Sequence, residues 1–273
     1  VIWSRPVWPV LALIAEHTSR VLVGPDVTHP FARHPVTTAA EIAALDELSG
    51  GRAILGIGQG SFFEAARIDH SRPVAAVRDA ILLIRQLLDG QGAAFEGEVF
   101  QLQAGAVLRF PARRVPMFAG TFGPRMIQMA AGLVDEIRPA AQWATGYLAV
   151  VQEHVRIGAL RAGRDPAEVE LAVDVWPFAS RNRAAAQAMA ERHTPRFLPY
   201  MTTLTEFHGI DPHDVQRAVT TFTAVGDVAE LTDGCQRLFD AGAQRITFSG
   251  VLGPDIDEAL GILAQVAHAL ATG

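Results

Sequence analysis

The sequence predicts an α/β fold, a parallel sheet flanked by helices, in one domain spanning residues 1–273. Three observations carry this. Apolar runs of strand length alternate with amphipathic helical stretches along the whole chain. The strand runs are continuously apolar, as expected of strands covered on both faces. No Pro/Gly-rich linker or shift in composition divides the chain, and 49% hydrophobic residues against 19% charged suffice for a sizeable core.

VIW (1–3) reads as a strand or its tail. PVWPVLALIAEHT (6–18) is helical, with Pro where a missing N–H does no harm. RVLVGPDV (20–27) is a β-branched run stopped by Gly and Pro. PVTTAAEIAALDELS (35–49) is a helix ended by Gly50-Gly51, RAILGIG (52–58) a buried strand, and RPVAAVRDAILLIRQLLDG (72–90) the next helix. Residues 93–114 break the alternation, and their Glu-Gly and Ala-Gly turn signals predict an inserted hairpin. VPMFAG (115–120), GPRMIQMAAGL (123–133), DEIRP (135–139) and 143–163 resume it, followed by the strand VELAVDVWPFAS (169–180). Residues 181–225 read as irregular helix, 225–242 as a helix, QRITFSG (244–250) as a strand and 255–270 as the last helix.

Six βα units and part of a seventh leave two architectures open, a doubly wound sheet and a (β/α)₈ barrel. The barrel needs eight strands, so this count falls one short.

Composition excludes several function classes. A formal net charge of −6 without a basic stripe excludes nucleic acid as a partner. No apolar run is long enough to span a membrane, and the first residues lack the pattern of a signal peptide. The single cysteine, Cys235, rules out an intrachain disulfide and a multi-cysteine metal site, and it reads as a half-buried structural thiol. Together these predict a cytoplasmic protein without a metal. All 23 basic residues are Arg, so Schiff-base, P-loop-lysine and pyridoxal chemistry are excluded by inspection.

The stretch LGIGQG (55–60) decides between ligand classes. A dinucleotide fingerprint needs G-x-G-x-x-G opening a helix, with an acid at the end of the next strand about 20 residues on. Here the third glycine position is Ser61, no helix opens before Arg72, and the acid, Asp79, lies inside that helix. The fingerprint fails. Gly56 reads as a packing glycine; Gly58-Gln59-Gly60 suits the close approach of backbone to a flat or phosphorylated ligand at a strand's carboxyl end.

Residues 27–60, VTHPFARHPVTTAAEIAALDELSGGRAILGIGQG, resemble the signature region of the bacterial luciferase-like monooxygenase superfamily. Residues 116–137 and the region from TAVGDVAEL to GAQRITFSG are similar to its later βα units. The resemblance implies a (β/α)₈ barrel holding FMN or the deazaflavin coenzyme F420. The family's first strand and helix have no counterpart before VIWSRP, which implies a barrel lacking its first βα unit in this chain. Arg72-Pro73 and the DEIR ending at 135–138 resemble the branch typified by methylenetetrahydromethanopterin reductase, which uses F420.

Carried over by position, the resemblance implies a cis peptide in a β-bulge at Asp26-Val27, against the middle of the tricyclic ring. His29 stands where relatives contact that ring, and Gln59 with Gly58 and Gly60 would border its pyrimidine side or ribityl chain. Gly120, Thr121, Phe122 and Gly123 would supply backbone N–H groups to a phosphate, with Arg125 beside them. Glu64 and His70 are the candidate acid–base partners, and Trp176 a substrate-pocket wall. Trp3, Trp8 and Trp143 are core or pocket-wall candidates. His34 reads as fixing the next helix start, and Arg52 as a structural ion-pair partner. The implied reaction is hydride transfer between F420 and a small organic substrate by a homodimer. The alternative is an FMN-dependent monooxygenase served by a separate flavin reductase; a non-catalytic homologue is the third reading.

Overall fold

The computed structural model describes residues 5–61, 63, 66–250 and 253–272. The expected strand at 1–3, Trp3 and Glu64 lie outside them. The chain forms two units: 1–121 with 125–137 and 156–169, and 122–124 with 138–155 and 170–273.

In the first unit, helix α1 (Val7–His17) buries only Leu11 and Ala15. Helix α2 (Pro35–Leu48) starts where the sequence indicates: the His34 ring accepts from Val36 N at 3.2 Å, and Pro35 occupies the first turn. Strand β1 (Leu55–Ile57) is buried throughout, and helix α3 (Pro73–Leu88) follows. The inserted hairpin is short, β2 (Phe95–Glu96) against β3 (Gln101–Leu102), antiparallel. Buried Asp79 of α3 pins its tip by accepting from Val99 N at 2.7 Å and from Phe100 N. Strand β4 (Met117–Gly120) runs parallel to β1, with Leu55 opposite Met117 and Ile57 opposite Ala119. Helix α4 (Pro124–Ala131) leads to β5 (Glu136–Arg138), and Asp135 N donates to Met117 O at 2.9 Å.

Two expectations change here. Residues 20–27 form no continuous strand; they meet the strand beside them through single bridges at Val23 and, just beyond, Thr28. Pro25 has no N–H to contribute, and the peptide between Asp26 and Val27 is cis. Arg52 is structural, but its bonds go to carbonyls rather than a carboxylate: Ala15, Thr18, Val21 and Ser49, at 2.7–2.8 Å. It ties the end of α1 to the end of α2.

Helix α5 (Leu148–Arg161) begins in the second unit and ends in the first. In the second unit, β6 (Glu170–Ala179) is the central strand. The chain then passes through α6 (Arg183–His193), α7 (Thr202–His208) and α8 (Val215–Phe222). It closes with β7 (Thr223–Gly226), α9 (Val228–Asp240), β8 (Arg245–Phe248) and α10 (Ile256–Thr272). The first half of β6 pairs in parallel with β8, and its second half with β7. Strand β7 corrects the helical reading of this stretch: four residues directly after a helix offer no period of their own. Asp227 and Glu230 close a reciprocal cap at the start of α9. Val173, Val175, Leu231, Leu238, Ile262 and Val266 form the core, and Cys235 sits fully inside it. Burial pushes its thiol up to about 12, so Cys235 is an apolar filler rather than a half-buried group. Among the described residues, no helix is long and apolar enough to cross a membrane.

Candidate functional site

The carboxyl ends of β1 and β4 gather most of the residues that the sequence singles out. Gly56 N donates to Pro25 O at 3.1 Å and Gly56 O accepts from Thr28 N at 2.9 Å. Asp26 and Val27 therefore both stand opposite a single glycine, one residue more than regular pairing allows, which is a β-bulge, and their shared peptide is cis. Val27 then lies across two glycines. A Cβ at Gly58 would stand 3.0 Å from Val27 Cγ2 and 2.8 Å from Gly120 O, and one at Gly120 would stand 2.7 Å from Val27 Cγ1. Those glycines let three backbones close around the bulge. Gly60 has φ +71°, and a side chain there would meet the His29 and Phe63 rings.

His29 packs edge-on against Phe63, with ring centroids 4.8 Å apart. Phe63 also meets Phe31 and His70, so His29 and His70 share one aromatic cluster. Burial, and then positive charge including that of Arg33, lowers the His29 pKa to about 4. The ring is neutral at pH 7. Its Nδ1 accepts a long bond from Ala32 N at 3.4 Å, which assigns the proton to Nε2. His70 Nδ1 bonds Ile68 O at 3.0 Å, so that atom is the donor and the ring is held by its own loop. Gln59 is exposed at the end of the same loop.

A cavity of about 520 Å³ opens beside the bulge, lined by Arg5, Trp8, Asp26, Val27, His29 and Arg33 among others. Trp8 Nε1 is buried and has no hydrogen-bond partner among the described residues. Sequence reading placed Trp8 only as a core or wall candidate, and it did not single out Arg5 or Phe63 at all. The Phe62-Phe63 pair after the glycines was the available signal for an aromatic wall. A second cavity, of about 300 Å³ beside Asp46, Gly51 and Arg113, lies at the opposite, amino-terminal end of these strands. Asp46 and Arg113 in its lining are paired with each other.

Gly120 ends β4, and Thr121 follows it. The next two residues, Phe122 and Gly123, belong to the second unit, where Tyr147 OH donates to Phe122 O at 2.7 Å. The place of a Cβ at Gly123 is open space, and helix α4 begins one residue later. In the same unit Trp176 is half-buried with its ring 4.9 Å from Phe197. Among the described residues, no three His, Cys, Asp or Glu side chains cluster as metal ligands would.

The family model described as luciferase-like monooxygenase matches residues 3–245. The chain belongs to this family. Within it, the chain is 28% identical to a 5,10-methylenetetrahydromethanopterin reductase of Methanolobus tindarius, over 96% of this chain and 87% of that one. It is 27% identical to an F420-dependent hydroxymycolic acid dehydrogenase of Mycobacterium tuberculosis, over 86% of this chain and 67% of that one. The solved structure of a coenzyme F420-dependent tetrahydromethanopterin reductase from Methanopyrus kandleri superposes with TM-score 0.81 at 25% identity, covering 97% of this chain and 88% of that one. An F420-dependent secondary alcohol dehydrogenase shares the fold, with TM-score 0.83 at 22% identity over 98% of this chain and 84% of that one. The α/β fold with a parallel sheet is thus the one this family uses.

Proposed function

We propose that this chain is an F420-dependent oxidoreductase acting on a small organic substrate. The observation that carries the reading is the close approach of Val27 to Gly58 and Gly120 at the strand ends, in a chain similar almost end to end to a reductase named as F420-dependent. When bound, a deazaflavin supplies two electrons as hydride. The protein's share is placement and exclusion of water. Val27 with Gly58, Gln59 and Gly60 would support the ring, and the open space at Gly123 before α4 suits a phosphate at a helix start. Neutral His29 presents an N–H, and Phe31 and Phe63 wall off solvent. His70 remains the described candidate for proton handling, and Trp176 for substrate contact. The reading includes a single (β/α)₈ domain, a homodimer and a cytoplasmic location.

Titration of the purified protein with F420 and with FMN, oxidised and reduced, tests this. Saturable F420 binding without substrate-dependent oxygen uptake is expected. Tight FMN binding with no F420 binding would sink the reading and favour the monooxygenase that draws on a flavin reductase. Binding of neither would favour the non-catalytic homologue.

A further inference from the structure

At the amino-terminal end of the first unit's strands, away from the bulge, stands a guanidinium that the fold leaves unsatisfied. Arg85 lies in the last turn of α3. Its Nε and Nη2 are buried, and neither has a hydrogen-bond partner among the described residues. Asp135 Oδ2 is 3.5 Å from Nη2, but that oxygen already accepts from Met117 N at 2.8 Å. Arg114 Nη2 lies 3.9 Å from the other oxygen, Oδ1. Arg164 is close enough to act on Arg85 electrostatically, and its Nη1 is taken by the carbonyls of Ala131 and Val134. Glu168 and Asp89, the remaining carboxylates nearby, are exposed.

Nε and Nη2 form the edge with which arginine grips two oxygens of a carboxylate or phosphate at once. Leaving both unmet in a buried place is costly, and proteins satisfy such groups with a ligand or an ordered water. We propose that Arg85, with Arg114 beside it, binds a small oxyanion of the phosphate or carboxylate class. The site is not sealed, because the Arg85 side chain keeps 20% exposure and Arg114 keeps 60%. Burial, followed by the charges of Arg114 and Arg164, lowers the Arg85 pKa, the penalty that an arriving anion would relieve. Nothing in the proposal depends on which cofactor the carboxyl-terminal end takes.

The test is thermal unfolding of the cofactor-free protein in inorganic phosphate, in sodium acetate and in chloride at matched ionic strength. The unaltered chain is compared with Arg114→Gln and Arg85→Met. Generic salting effects act on all three proteins alike, so the difference between them is the readout. A saturable rise of about 3–6 °C at roughly ten times Kd is expected for the unaltered chain, and its loss in both variants. The oxyanion that produces the rise identifies the class. An equal response in all three proteins, which includes phosphate binding only near Gly120–Gly123, overturns the proposal. So does no rise over chloride, the result expected if ordered water satisfies the fork. If Arg85→Met does not fold, the exposed Arg114→Gln decides alone.

Discussion

The two ends of the β1–β4 pair are built from different chemistry. The amino-terminal end is held by charge and carbonyl: Arg52 on four carbonyls, Arg113 on Asp46, and Asp135 between Arg85 and Arg114. The carboxyl-terminal end has glycines, a bulged cis peptide, aromatic rings and a neutral histidine, with an open cavity beside them. One end spends its polar groups on the fold, the Nε–Nη2 edge of Arg85 excepted. The other keeps backbone close, side chains small and donors unspent, which is what a ligand site at strand ends requires.

That contrast predicts where substitutions will hurt. The largest effect is expected from Gly58→Val, whose side chain would displace Val27 and Gly120 O. Overpacking of this kind costs about 1–3 kcal/mol, and cofactor affinity should fall roughly 100-fold or more. Parallel titration and melting would measure both; unchanged affinity would break the link between bulge and ligand. Next comes Arg52→Met, which leaves four carbonyls without their donor. A loss of about 2–4 kcal/mol is expected, seen as a lower urea midpoint, while cofactor affinity measured below the transition stays the same. A matching fall in affinity would erase the division between the ends.

The smallest effect is a pH dependence at His29. Its folded pKa, about 4, lies below the unfolded value near 6.5, so between those pH values the unfolded chain binds the proton and the folded chain does not. The His29 contribution is therefore complete above pH 6.5 and is lost as pH falls towards 4. Melting curves of the unaltered chain should drop by a few degrees more over that window than those of His29→Asn. Equal slopes would mean that the ring titrates normally.

Much of the fold was legible because its signals are local. The His34-Pro35 helix start, the Gly50-Gly51 stop and the hairpin turns are each fixed by residues within four positions of one another. The strand read over 20–27 failed because apolar composition does not reveal a bulge, and β7 was missed because Phe222 runs from helix into strand without a breaker. Arg52 was correctly read as structural, but its partners are backbone atoms that no side-chain pattern announces. At the site, the glycines were legible and the rings were not. His29, Phe63 and His70 meet through loops whose course depends on tertiary packing, and Trp8 enters only because α1 brings its indole to the same cavity.

The helix α5 changes units at residue 155, and both units draw on stretches of chain that alternate along the sequence. During synthesis the first unit is therefore incomplete until residue 169 has left the ribosome, although most of it is made by residue 121. A gene cut at residue 121 or 137 would yield a fragment missing part of its own interior. Split-protein reporters and fragment complementation in this chain will need breakpoints chosen in loops, not at a unit boundary.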